Sequence, residues 1–404
     1  MRKNKVRFKL LMALLNEGYA YDNVLRTLDD KTAFINKCIS EMIEGGYIKT
    51  GKRSVTRRYK GKKKDIDFSY KIITRKGVQW LIDNYAEEHT WLKYLPDPMP
   101  KFCVNKHLAN NAVYCMIKSI TASIMFANVG VRTFNKVNDA YTEELRDIVS
   151  KAKEQYRREN GIRTADLHKG EDGWPLIYFH NKDIKKYISK EEKTEEQYAF
   201  FENHGLLINH SKSYLVYVTK VGGILFRKGE VERIISAMKD FIAKKSFTDE
   251  PYGPLGRCIV FCKNEKEFAE LFFRNYKANK RNGGRMSDSF GSIHVRPVLR
   301  KSMTMLSLVL ENVYGYDSDA IVRLRNTDVN FSTDKFQVSG LYRDTLIGID
   351  MDLVKIASFF ELMEKVQNRN YKVVCYKWQE SYYRRIMPEN IEYYIVPDNL
   401  MVKK

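Results

Sequence analysis

The stretch GGYIKTGKRSVTRRYKGKKKDIDFSYKIITRKGVQWL, residues 45–81, decides how the fold is read. Residues 47–50 (Tyr, Ile, Lys, Thr) read as a strand, residues 52–64 as a turn and residues 68–73 as the returning strand; Thr74, Arg75, Lys76 and Gly77 then lead into a helix over 78–85. Eight of the thirteen residues from 52 to 64 are basic (Lys52, Arg53, Arg57, Arg58, Lys60, Lys62, Lys63, Lys64) and none is acidic. A hairpin tip cannot bury such charges, because taking each from water would cost about several kcal/mol. They are therefore solvated or bound to phosphate.

Upstream, Phe8, Leu11, Met12 and Leu15 recur at helical spacing over residues 6–15, and Gly18 stops that helix. A short second helix is expected over 21–28. A third spans 31–44, with Asp29 and Asp30 offering N-cap oxygens and Gly45-Gly46 ending it. Phe34, Cys38, Ile39, Met42 and Ile43 are expected on its core face. The order helix, helix, helix, hairpin, helix resembles the winged-helix superfamily over about 85 residues, through segments such as GGYIKTG and YKIITRKGVQWL. The resemblance implies a third helix in the major groove, with contacts from Lys31, Thr32, Asn36 and Lys37, and a wing along the phosphates flanked by Arg75 and Lys76. Basic wings also occur on winged helices that dock proteins, so a protein-interaction module is a further alternative.

The whole chain has 404 residues, 44% hydrophobic and 30% charged, which suits several folded domains rather than a disordered chain. Its net charge of +20 asks for a polyanionic partner. Residues 1–76 hold 20 Lys and Arg against 8 Asp and Glu, so most of that excess is N-terminal. Double-stranded DNA is the expected partner. The six cysteines (Cys38, Cys103, Cys115, Cys258, Cys262, Cys375) form no Cys-x-x-Cys pair, as expected of reduced thiols in the cytoplasm. The apolar run over 10–15 is too short for a membrane span, and no membrane partner is expected.

Pro96, Pro98 and Pro100 mark a boundary, because each removes a backbone donor and holds the chain extended. The expected layout is a DNA-binding domain over 1–94, a proline-containing linker and helical segment over 95–170, and an α/β domain over 171–404, in one piece or as halves 171–300 and 301–404. In the middle segment a helix over 105–126 serves as a buried spine or a dimer contact, and a charged one covers 141–159. Strands are expected at 175–179, 205–209, 213–219, 222–227, 257–262 and 291–298, and helices at 182–188, 230–245 and 265–276; a further set of elements at 336–338, 345–349, 353–366, 371–376, 380–387 and 392–396 continues the same sheet or forms a second half packed on it. The overall class is thus α+β or α/β, multidomain, with a mixed sheet. The segments WPLIYFHNKDIKKYI and GLLINHSKSYLVYVTKVGGILFRKGEVERIISAMKDF resemble replication and relaxation proteins of mobile elements, whose body is similar to the restriction-endonuclease core. That resemblance implies a plasmid or mobile-element protein acting with replication or transfer proteins, or in transcriptional control.

A nuclease of that core needs two carboxylates and a Lys at adjacent strand ends, with magnesium as its cofactor. Lys220 has no acidic partner two residues before it, and Asp183 falls in an expected helix. The remaining candidates are Asp350, Asp352 and Lys355 in IGIDMDLVK, where helix capping explains the carboxylates equally well. The seven histidines form no His-x-His or His-Glu-x-x-His cluster, so no metal site is legible and no cofactor is expected outside the nuclease alternative. Tyr382 and Tyr383 beside Arg384 and Arg385 suggest a tyrosine nucleophile only weakly among 26 tyrosines. No phosphate-cradling Gly-x-x-x-x-Gly-Lys loop is present. Asn282-Gly283-Gly284-Arg285, with Lys277, Lys280 and Arg281, forms a second basic loop that either touches DNA backbone or is simply a mobile turn.

Overall fold

The computed structural model describes residues 2–29, 31–59, 62–100, 110–134, 143–163, 176–180, 184, 205–209, 212–219, 224–226, 229, 231–232, 234–236, 255–311, 341–342, 344–367 and 369–398. The architecture is mixed α and β. Two compact units divide the chain. The first comprises Met1–Ser189, His204–His210 and Lys245–Pro251, and the second Lys190–Asn203, Ser211–Lys244 and Tyr252–Lys404. Among the described residues no helix is long and apolar enough to cross a membrane.

The first unit opens with α1 (Arg2–Glu17), which buries Val6, Leu10, Leu11, Leu14 and Leu15 as one stripe. Phe8 and Met12, expected in that stripe, are half-buried at its edge. Gly18, at φ 83°, supplies the left-handed backbone that ends the helix, and its N–H donates to Leu14 at 2.8 Å. β1 (Tyr19–Ala20), α2 (Asp22–Leu25) and α3 (Thr32–Glu44) follow. α3 buries Ile35, Cys38, Ile39 and Met42. Phe34 and Ile43 depart from the expected face: Phe34 is half-buried under the Arg2 guanidinium, 5.2 Å from its ring centroid, and Ile43 is exposed. The i, i+3, i+4, i+7 spacing runs through Ile35 instead, one residue further on. The N-cap is Lys31, which makes no side-chain cap; Asp29 accepts from the Lys31 N–H at 2.9 Å rather than capping the helix itself.

β2 (Ile48–Tyr59) and β3 (Lys62–Ile73) pair antiparallel from Ile48↔Ile73 to Tyr59↔Lys62, and the sheet order is β1-β3-β2. The hairpin is therefore much longer than the two short strands expected, and most of residues 52–64 lie in strand rather than turn. Buried apolar residues run from its base, at Ile48, Ile72 and Ile73, through Tyr70 and Phe68 to Val55; beyond Val55, charged residues replace the alternation by which a strand is recognised. α4 (Arg75–Tyr85) closes the series, capped by Thr74, whose hydroxyl accepts from the Gly77 N–H at 3.2 Å.

Residues 110–134 and 143–159 pack onto these elements instead of standing apart as a linker segment. Tyr114 of α5 (Asn110–Ala127) meets Phe68 edge-on, with centroids 5.5 Å apart, and Asn128 donates to Thr27 at 3.0 Å. After β4 (Arg132–Phe134) comes α6 (Glu143–Glu159), from which Lys153 donates to Asn16 at 2.6 Å. These contacts are the physical reason that the first unit runs on past the expected boundary at residue 94. β4 pairs parallel with β5 (Leu176–His180), and β5 antiparallel with β6 (Gly205–Asn209).

In the second unit, β7 (Lys212–Val218), β8 (Leu255–Cys262) and β9 (Ser292–Pro297) run parallel, with α7 (Glu265–Arg281) crossing from β8 to β9. α8 (Arg300–Glu311) follows. A second sheet has the order β10 (Leu341–Tyr342), β11 (Thr345–Ile347), β12 (Lys372–Tyr376), β13 (Glu392–Val396). In it, β11, β12 and β13 are parallel. α9 (Leu353–Lys365) crosses from β11 to β12, and α10 (Glu380–Arg384) lies before β13. Met305, Ile347, Ile349, Val374, Tyr376 and Val396 form a core cluster here. Residues 224–226, expected in a strand, are irregular; Asn275 fixes them, accepting from the Phe226 N–H at 2.7 Å and donating to Ile224 at 2.8 Å. The element expected at 336–338 lies outside the described residues, as do Lys220 and Asp183.

Candidate functional site

Two places in the molecule gather charge. In the first unit, Lys31, Thr32 and Lys37 are exposed on α3, and Asn36 is half-buried beside them. Arg75 and Lys76 are exposed at the start of α4, where the Lys76 ammonium lies 5.0 Å from the Tyr47 ring centroid. Lys52 and Lys63 are exposed on the hairpin, and Arg53, half-buried, donates to Asn110 at 3.3 Å. Lys60 lies outside the described residues.

Strand register adds what composition alone does not contain. The acids of the hairpin fall opposite hydroxyl residues, Asp67 opposite Ser54 and Asp65 opposite Thr56, and the Thr56 hydroxyl donates to Asp65 at 2.5 Å. Towards the tip, Arg57 falls opposite Lys64 and Arg58 opposite Lys63, with Lys62 opposite Tyr59. Like charges at directly opposed strand positions are destabilising. The tip therefore works against its own pairing unless anions neutralise it.

The second place is in the second unit, where a sharp turn follows β11. Met351, at φ 47°, takes the left-handed conformation that non-glycine residues rarely adopt. It is held there on both sides: its N–H donates to Gly348 and its carbonyl accepts from Val295, both at 3.0 Å. The turn thereby sets Asp352 against His294 of β9 in an antiparallel bridge. One ligand atom from each of His294, Asp350 and Asp352 lies within 4.8 Å of the others. Asp352 caps α9, accepting from the Val354 N–H at 3.0 Å, and also accepts from Ile293 at 2.9 Å. Asp350 does not cap: its Oδ2 accepts from Lys355 at 2.8 Å, while the buried Arg296 donates to its carbonyl at 2.7 Å.

Both carboxylates are buried, and their environments push them apart. Burial pushes Asp350 up, but the Lys355 ammonium, helped by Arg296, more than offsets this and holds it below the ordinary value. Burial, and then the Asp350 charge, push Asp352 up. Burial, and then Arg296, push the His294 imidazole down to about 3, so it is neutral at pH 7. Such a split between neighbouring titratable groups recurs at functional sites. His294 is the residue that sequence reasoning missed: it stands alone in its strand, 56 positions from Asp350.

The other candidates are differently placed. Lys277 and Arg281 are exposed, whereas Lys280 pairs with Glu364 at 2.7 Å and Arg285 with Glu361 at 3.7 Å. Tyr382 and Tyr383 are buried, and the Tyr383 hydroxyl donates to the Gly348 carbonyl, so neither is presented as a nucleophile. Cys38, Cys258, Cys262 and Cys375 are buried free thiols. No protein-family model matches the chain, no curated protein matches it in sequence and no solved structure matches it in fold.

Proposed function

We propose that this protein holds duplex DNA through a winged helix formed by its first 85 residues, with α3 in the major groove and the β2–β3 hairpin along the phosphates. The observation that carries the reading is the register of the hairpin tip, which sets cation opposite cation at Arg57↔Lys64 and Arg58↔Lys63. A row of phosphates along the hairpin removes that repulsion. The sheet order β1-β3-β2 and the exposed Lys31, Thr32 and Lys37 agree with that use. A plasmid or mobile-element setting, a homodimer, and replication or transfer proteins as partners belong to the same proposal.

The test is duplex binding as a function of salt, for the parent and for a variant with Arg57, Arg58, Lys62 and Lys63 changed to Ala. Each lost phosphate contact reduces the log–log slope by about 0.9, so the variant is expected to be shallower by about 3 to 4. Equal slopes for the two proteins would rule the hairpin out as the phosphate contact.

A second reading, metal-dependent strand cleavage, is favoured by the convergence of Asp350, Asp352 and Lys355. Running the same incubations with magnesium and examining them for cut strands separates it from binding alone.

A further inference from the structure

The turn after β11 brings together groups that the hairpin reading leaves without a task. Asp352 has a structural role as the cap of α9, and Lys355 answers the charge of Asp350. Neither accounts for His294. Its ring is half-buried, yet its Nδ1 is sealed from solvent and meets no hydrogen-bond partner. A buried polar atom left this way carries a desolvation cost that an apolar residue at the same strand position would not. A ring nitrogen of the same imidazole lies within 4.8 Å of two carboxylate oxygens supplied by the turn after β11. The chain reaches this arrangement only by holding Met351 in a left-handed conformation.

We propose that His294, Asp350 and Asp352 bind one divalent first-row transition ion. One imidazole with two carboxylates suits Mn2+, Fe2+, Co2+ or Zn2+; Ca2+ requires six to eight oxygens, more than this buried turn provides. Three protein ligands leave coordination positions open for water or a phosphate oxygen. The inference rests on no part of the DNA-binding reading; to the two carboxylates of the cleavage reading it adds His294 as a third ligand, and it puts a transition ion in place of magnesium.

The experiment uses the untagged full chain and Co2+ as the probe, followed by its visible d–d absorption at pH 7.5. The parent is expected to show one saturable equivalent. His294→Gln and Asp352→Asn should weaken it at least tenfold, Asn being chosen because it still caps a helix. Circular dichroism checks that both variants fold. Lys355→Met provides a test that does not require removing a ligand. It takes away the positive charge that pairs with Asp350 at 2.8 Å, so Co2+ binding should tighten on the order of tenfold or more. Mn2+, followed by loss of its free-ion electron paramagnetic resonance signal, should compete for the same equivalent. The proposal is overturned if no saturable band forms at millimolar Co2+, if folded His294→Gln and Asp352→Asn bind like the parent, or if Lys355→Met leaves the affinity unchanged. DNA binding is not read at any point, so a failure here leaves the hairpin reading where it stands.

Discussion

Lys153 shows what a single side chain reveals at this scale. Burial pulls its pKa from 10.5 down to about 8, opposed by Glu17, although its ammonium donates to Asn16 at 2.6 Å and lies 4.6 Å from the Trp91 ring centroid. Between pH 8 and 10.5 the unfolded chain binds the proton that the folded chain has released, so this residue makes stability rise with pH in that window. The expected slope is up to about 1.4 kcal/mol per pH unit. Urea denaturation of parent and Lys153→Met from pH 7.5 to 10.5 should show the parent gaining on the variant as pH rises; parallel curves would mean that Lys153 stays solvated. The sequence announces such residues poorly. Lys153 sits in a helix rich in charge, and nothing local distinguishes it from Lys151, which is exposed. His294 is hidden in the same way, because its partners arrive through sheet topology rather than spacing. Asp350, Asp352 and Lys355 were legible because they lie within six residues of one another.

At the scale of elements, Thr74 joins two pieces of the first unit. Its side chain caps α4 through the Gly77 N–H, and its hydroxyl donates to the Gly46 carbonyl at 2.6 Å, tying the start of α4 to the turn after α3. Thr74→Ala removes both bonds and leaves the Gly46 carbonyl without this donor. The expected loss is about 1–2 kcal/mol, read from the shift in urea midpoint at constant m-value. Thr74→Ser, which keeps the hydroxyl, should recover most of it. Some elements were well marked in the sequence: the strand at 205–209 falls where its apolar run places it, because that strand is fully buried and its composition reports it. The hairpin was underestimated for the opposite reason. Its outer half is richly charged, so neither alternation nor apolar content distinguishes strand from turn. Only the pairing of twelve residues with twelve reveals its length.

Across the whole molecule, the net charge of +20 is concentrated in the first 76 residues, yet the second unit also presents a basic loop that composition alone makes equally attractive to DNA. The two differ in how their charge is answered. Lys280 and Arg285 face Glu364 and Glu361, and Lys280 depresses the Glu364 carboxyl, so two of the four cations already have counterions within the protein. At the hairpin tip the register opposes cation to cation and offers no acid in the paired positions. Counterion release on binding scales with charge that the protein has not already neutralised. Changing Lys277, Lys280, Arg281 and Arg285 together to Ala should therefore lower the log–log salt slope of duplex binding by no more than about 2, the two exposed and unbridged cations at most, against about 3 to 4 for the four hairpin substitutions. A loop variant whose slope falls as far as the hairpin variant's would mean that Glu361 and Glu364 release their partners to phosphate, and that the second unit carries part of the DNA path.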